Sequence, residues 1–301
     1  MGFAAGETYD TYARVAAPYL TRRLPGNPVI VVQNMPGVTS LKAADYLYQA
    51  APRDGTSIGI LSQTVALAQA TRNAAAHYDA ARFSWIGRLV PVLQFLTVWQ
   101  TAPVQTIADA TQHELIVAAT SPSGMTGMVP KLLNQLAGTR FKIILGYPGL
   151  LDGIAAMEKG EVQAASASLW ELYTARADLV RAGKLRVLVQ FTDKRAAEFP
   201  DVPAIGELGR SADDRRILAL YGSTASLGRA IMAPPALPPA RLAALRGAFD
   251  AMVADPDFIA DMKKHEMPLE PLGGAVLQQA VAESLDLSPA LAERAASLLK
   301  Q

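Results

Sequence analysis

The chain has 301 residues, of which 50% are hydrophobic and 18% charged, and its formal charge is +1. This is a globular composition, long enough for two lobes with cores of their own and too close to neutral for a general nucleic-acid binder. The lack of cysteine excludes disulfides, thiolate nucleophiles and cysteine metal sites, and no apolar run approaches the roughly 20 residues that span a bilayer.

The opening stretch, Gly2-Phe3-Ala4-Ala5-Gly6-Glu7-Thr8-Tyr9-Asp10, passes from small residues to Thr8 and Asp10, both suited to a helix N-cap. Tyr12, Val15, Ala16, Tyr19 and Leu20 then recur at helical spacing, with Pro18 among them as an expected kink. A flexible loop feeding a helix leaves backbone N–H groups unpaired beside the positive end of the helix dipole, an arrangement that binds anions. An ordinary strand-to-helix turn has the same composition. Only Met1 precedes the first glycine, so a signal peptide and most of a first strand are expected to lie outside this chain.

Strand and helix patterns then alternate. Val29-Ile30-Val31-Val32 reads as a β-branched strand, and Thr39 or Ser40 can cap a helix carrying Leu41, Ala44, Leu47 and Tyr48. Residues 57–61 form a strand that ends at Ser62-Gln63-Thr64. Further strands are expected over 92–100, 114–120, 141–147, 162–168 and 185–191, with helices over 125–136 and 151–157. A Gly/Ser-rich stretch at 221–228 leads into Ala230-Ile231-Met232-Ala233; Pro238 and Pro239 open a later helix, and Asp255 caps another. The alternation predicts parallel βα units. We expect one lobe from 1–99 plus 231–301 and a second, inserted lobe from 100–230.

Common catalytic signatures are missing. His77, His113 and His265 are far apart in the chain, and neither a G-x-S-x-G elbow nor a phosphate-binding P-loop occurs. The charged runs at 213–216 and 262–264 read as solvated helix faces. Trp85, Trp99 and Trp170 read as core or lobe-interface residues. What remains is a set of hydroxyl- and amide-rich loops at the carboxyl ends of predicted strands. These carry Ala4, Gly6, Glu7 and Thr8; Ser62, Gln63 and Thr64; Thr120, Ser123, Gly124 and Thr126; Tyr147; and Ser166 and Ser168. Strand ends in an open α/β sheet are where ligands bind, and five such loops without paired acid–base groups favour binding over catalysis. A lyase or transferase using Asp10, Glu7 or Tyr147 as acid or base is the enzymatic alternative. A sensory receptor signalling to a membrane kinase would share the fold.

The chain resembles the solute receptors of the tripartite tricarboxylate transporters, the Bug-type binding proteins. Its opening Gly2-Phe3-Ala4-Ala5-Gly6 with Tyr9-Asp10, and Val31-Val32-Gln33-Asn34-Met35-Pro36-Gly37, carry the resemblance. So do Asp54-Gly55-Thr56, Gly146-Tyr147-Pro148-Gly149, Gly160-Glu161-Val162-Gln163, Phe199-Pro200-Asp201-Val202-Pro203, and Ala233-Pro234-Pro235 followed by Arg241. In this order the motifs span essentially the whole chain. The resemblance implies an α/β, two-lobed periplasmic-binding-protein-like (type II) fold with a ligand cleft between the lobes. It also implies a periplasmic, monomeric, non-enzymatic receptor that delivers a small organic carboxylate to membrane permease subunits and needs no cofactor or metal. By position, the loop residues named above would hold the ligand. Glu7 departs from the pattern, standing where the family has another small residue. Its carboxylate would either turn to solvent or pair with an ammonium of a zwitterionic ligand.

Overall fold

The computed structural model describes residues 1–37, 39–122, 124–169 and 171–300, the side chains of 299 and 300 excepted. Ser123 and Trp170, both singled out in the sequence, lie outside the described residues. The chain divides into two units: unit 1 is Met1–Val92 with Leu227–Ala292, and unit 2 is Leu93–Ser226 with Glu293–Gln301. Unit 1 opens with α1 (Thr8–Arg23), α2 (Leu41–Gln49), β1 (Gly59–Ile60), α3 (Val65–Ala70) and β2 (Ser84–Arg88). Unit 2 follows with β3 (Gln94–Trp99), α4 (Asp109–Gln112), β4 (Glu114–Ala119), α5 (Met125–Leu136) and β5 (Arg140–Leu145). It continues through α6 (Leu150–Glu158), β6 (Ala164–Ser168), α7 (Ala177–Arg181), β7 (Leu185–Gln190) and α8 (Ala212–Leu227). The last elements are β8 (Ala230–Ala233), α9 (Pro239–Val253), α10 (Pro256–Lys264), β9 (Leu272–Gly273), α11 (Gly274–Leu285) and α12 (Pro289–Lys300). No helix among the described residues is long and apolar enough to cross a membrane.

In unit 1 the sheet order is β1-β8-β2-β9, and every pairing is antiparallel. The predicted apolar face of α1 is buried as expected: Tyr12, Ala16 and Leu20 pack in one cluster with Phe249 and Met252 of α9 and Phe258 of α10. Pro18 sits on the exposed side, and α1 runs through it. The strand expected at 29–32 does not form. Val29 is 87% and Val31 72% exposed, because no strand is hydrogen-bonded to that segment among the described residues. The bonds that hold this region come later, from the Met1 ammonium to Gln33 O at 2.9 Å and from Met35 N–H to Met1 O at 2.7 Å. The expected cap of α2 also differs. Ser40 occupies the N-cap position with positive φ, but its hydroxyl donates to Gly2 O at 3.0 Å instead of to the helix.

Unit 2 holds a sheet of order β5-β4-β6-β3-β7. Its central pairings, β4 with β5 and with β6, are parallel, and β3 runs antiparallel to both β6 and β7. The expectation of parallel βα units therefore holds for the crossovers through α5 and α6 and fails for unit 1 and for β3. All of β3 pairs within this sheet, which is why unit 2 begins at Leu93, before the strand rather than after it. The Gly/Ser-rich stretch at 221–228 is mostly helical, as the end of α8. Gly222 is small for a packing reason: a Cβ there would stand 2.3 Å from Asp193 N and from the carbonyl carbon of Thr192.

Candidate functional site

Parallel pairing fixes which loops meet in unit 2. Ala119 lies opposite Leu145, and Ala118 opposite Ala165, so the carboxyl ends of β4, β5 and β6 share one sheet edge. The loop after β4 turns tightly into α5. Gly127 makes this possible, since a Cβ there would approach Ser121 O to 2.3 Å. Thr126, in the first turn of α5, is buried. Its Oγ1 accepts the Thr120 N–H at 3.0 Å and lies 2.8 Å from Thr120 Oγ1. Gly124 and Gly149 are the N-cap residues of α5 and α6, and neither helix has a side-chain cap. In α5 the Gly127 N–H turns back to Gly124 O at 3.1 Å, and the positive dipole ends of both helices lie at these loops.

Between these elements lies a small recess. Thr120, Thr126, Tyr147, Gly149 and Ser166 line it together with Ala118, Ala119, Leu150, Gly153 and Ala165, all neutral. Ser166 Oγ is buried and has no hydrogen-bond partner among the described groups. Ser168, two residues on, does not line the recess. Its N–H donates to Glu171 Oε2 at 2.7 Å and its hydroxyl donates to the same oxygen, so both of its protons are committed to a buried carboxylate.

In unit 1 the first loop is shaped from below by Asp10. Thr8 and Asp10 do not cap α1. Thr8 is its first residue, and the N-cap Glu7 makes no side-chain cap bond. Asp10 is instead 1% exposed and accepts from Gly6 N–H at 2.9 Å, Arg14 Nε at 2.8 Å and Asn34 Nδ2 at 2.8 Å. The same Asn34 amide donates to Phe3 O at 3.0 Å. Above all, the Arg14 hydrogen bond holds the Asp10 carboxyl far below the usual carboxylate range. It carries no proton to give, and it is buried and committed to three donors, which argues against a role as acid or base. Glu7 is exposed, and its carboxylate accepts the Ala4 N–H at 3.3 Å.

The second predicted loop of unit 1 is buried at Ser62 and Gln63. Ser62 Oγ lies 2.8 Å from Thr64 Oγ1, and Gln63 Oε1 accepts from the Tyr9 hydroxyl at 3.3 Å. Tyr9 therefore joins this loop to the first one. Phe3 stacks on Tyr9 with ring centroids 4.1 Å apart. Burial pushes the Tyr9 phenol up, so it remains a neutral donor. Sequence reasoning named neither Phe3 nor Tyr9 as a site residue, and it counted Gly149 among the candidate loops through Tyr147-Pro148-Gly149 without naming it as a contact.

The family model described as tripartite tricarboxylate transporter family receptor matches residues 12–293. A curated Cupriavidus necator protein, described as a UPF0065 protein in the gbd 5′ region, is 26% identical over 98% of this chain and 85% of its own length. Among solved structures, a TctC solute-binding protein from Polaromonas has a TM-score of 0.73 at 18% identity, covering 98% of this chain and 96% of that one. An R. palustris protein solved with adipate has a TM-score of 0.60 at 21% identity, over 99% of this chain and 95% of that one.

Proposed function

Because this chain belongs to the tripartite tricarboxylate transporter receptor family, we propose that it is an extracytoplasmic receptor binding a small organic carboxylate and delivering it to a membrane permease. The family is one of solute receptors and not of enzymes. The observation that carries the reading is Ser166, a buried hydroxyl without a partner, set in a neutral recess beside two uncapped helix N-termini. Such a recess suits the oxygen of a carboxylate, which accepts several hydrogen bonds and is drawn to the positive ends of helices. Thr120, Thr126 and the N–H groups after Gly124 and Gly149 are the companion donors. In unit 1, Ser62, Gln63, Thr64 and the first turn of α1 form a second donor group.

Each such bond to a charged group contributes about 1.5–3 kcal/mol. Micromolar affinity needs about 8 kcal/mol, so a handful of neutral donors suffices and still permits release. The adipate held by the R. palustris neighbour supports a dicarboxylate. We place the receptor in the periplasm, as a monomer working with permease subunits and without a cofactor.

A thermal-shift panel of acetate, succinate, malate, adipate and citrate tests the reading. At 100 times its Kd a ligand stabilises by about 2.7 kcal/mol, so at least one carboxylate is expected to raise the midpoint clearly. A panel in which none does so at millimolar concentration would refute it.

Glu7 gives a sharper expectation. Its exposed carboxylate already lies on the Ala4 N–H, within its own loop. Glu7→Gln keeps that acceptor and removes the charge, so dicarboxylate affinity is expected to change by less than about 0.5 kcal/mol, as for most surface substitutions. Calorimetric titration of both proteins with succinate and aspartate checks this. A fall of more than about 1.5 kcal/mol for aspartate alone would instead mean that Glu7 pairs with an ammonium.

A further inference from the structure

Arg229 immediately precedes β8, and its backbone is fixed: its N–H donates to Val90 O at 2.9 Å and its carbonyl accepts from Leu89 N–H at 3.0 Å. Its guanidinium carbon lies 5.0 Å from the centre of the Tyr9 ring and 4.7 Å from that of Tyr12. Both tyrosines belong to α1, so the cation is held against the helix that the first loop feeds. Asp10 is paired with Arg14 and Asn34, and Glu270 with Arg88. Among the described residues Arg229 has no ion pair, and its buried Nε has no hydrogen-bond partner.

Two aromatic faces attract and orient a guanidinium, but they accept none of its N–H bonds. A half-buried guanidinium whose Nε–H has no acceptor is costly unless an anion compensates the charge. The ring on which it rests also reaches the second donor loop, through the Tyr9 hydroxyl on Gln63. We propose that Arg229 is a ligand-binding residue of unit 1 and receives a carboxylate of the solute, presented by Tyr9 and Tyr12 as a preorganised cationic anchor. This rests on the receptor reading and deepens it. Neutral donors alone would treat mono- and dicarboxylates alike except in number, whereas a fixed guanidinium rewards a ligand that has a carboxylate to give it, and binds that group in a two-pronged fashion.

The test is calorimetric titration of the wild type, Arg229→Lys and Arg229→Gln with succinate, malate, adipate and citrate at low and high salt. For whichever of these binds the wild type, Arg229→Gln is expected to weaken binding at least tenfold. Arg229→Lys should fall between the two, and the salt dependence seen in the wild type should flatten in Arg229→Gln. A purely structural brace would alter the melting temperature of the free protein but not the salt dependence of binding. Binding of Arg229→Gln within twofold of the wild type overturns the proposal and leaves the receptor reading intact. A wild type that binds none of the four overturns both. If Arg229→Gln does not fold, the Nε–H resonance of Arg229 in ¹⁵N-labelled wild type decides, assigned by its loss in Arg229→Lys. A shift on saturation with the binding carboxylate supports the proposal, and an unmoved resonance overturns it.

Discussion

Replacing Ser166 with alanine is expected to make the free protein more stable and a poorer receptor at the same time. Its hydroxyl is buried without a partner, and a buried polar group left unpaired costs about 1–3 kcal/mol. Removing the oxygen abolishes that cost and leaves little void, so the free protein should gain about 1 kcal/mol. The ligand loses a hydrogen bond to a charged acceptor, which corresponds to roughly tenfold weaker binding or more. Opposite signs in the two measurements are the signature of a group kept for a ligand rather than for the fold. Urea denaturation gives the first and calorimetric titration the second. Unchanged affinity in Ser166→Ala would show that the recess is not where the carboxylate binds.

The second large effect concerns the support beneath the first loop. Asp10 accepts three hydrogen bonds, from Gly6, Arg14 and Asn34. Asp10→Asn keeps the shape but turns an acceptor into a donor facing other donors. It should therefore cost about 1–3 kcal/mol at neutral pH, as when a buried hydrogen-bonding group loses its partner. The pH dependence follows from the Arg14 bond, which depresses the Asp10 pKa in the folded state. Its contribution is complete above the ordinary aspartate value of about 3.9 and is lost as the pH falls through the lower folded value. The difference between wild type and Asp10→Asn should then be constant above about pH 5 and shrink below about pH 4. Denaturation midpoints across that range check it, and a difference that stays constant into acid would mean that Asp10 stabilises by shape alone.

Local pattern and site chemistry were legible in the sequence to different depths. The strands of unit 2 could be placed to within a residue or two because each is an apolar run flanked by turn residues and followed by a helix. The loops after β4 and β5 were legible for the same reason, since parallel crossovers put them at one edge. Val29 to Val32 has as good a β-branched pattern as any of these, yet it forms no strand, because a strand needs a partner and local residues do not supply one. Asp10 read as a cap or a catalytic acid, and only the approach of Asn34 and Arg14 made it a structural acceptor. Arg229 left no trace at all in the pattern. It is one cation among 28, and what sets it apart is the pair of tyrosine rings brought to it from the far end of unit 1.

The order of strands in unit 1 has a consequence for how the chain is made. β1 and β2 are not hydrogen-bonded to each other; both pair with β8, which lies between them in the sheet. During synthesis they leave the ribosome early and wait for a partner that follows the whole of Leu93–Ser226. The strands of unit 2, by contrast, all emerge within that one stretch and can close their sheet first. The sheet of unit 1 thus depends on the long-range, slow class of contact. The apolar face of α1 waits longer still, since it is covered by α9 and α10, which follow β8 in the chain.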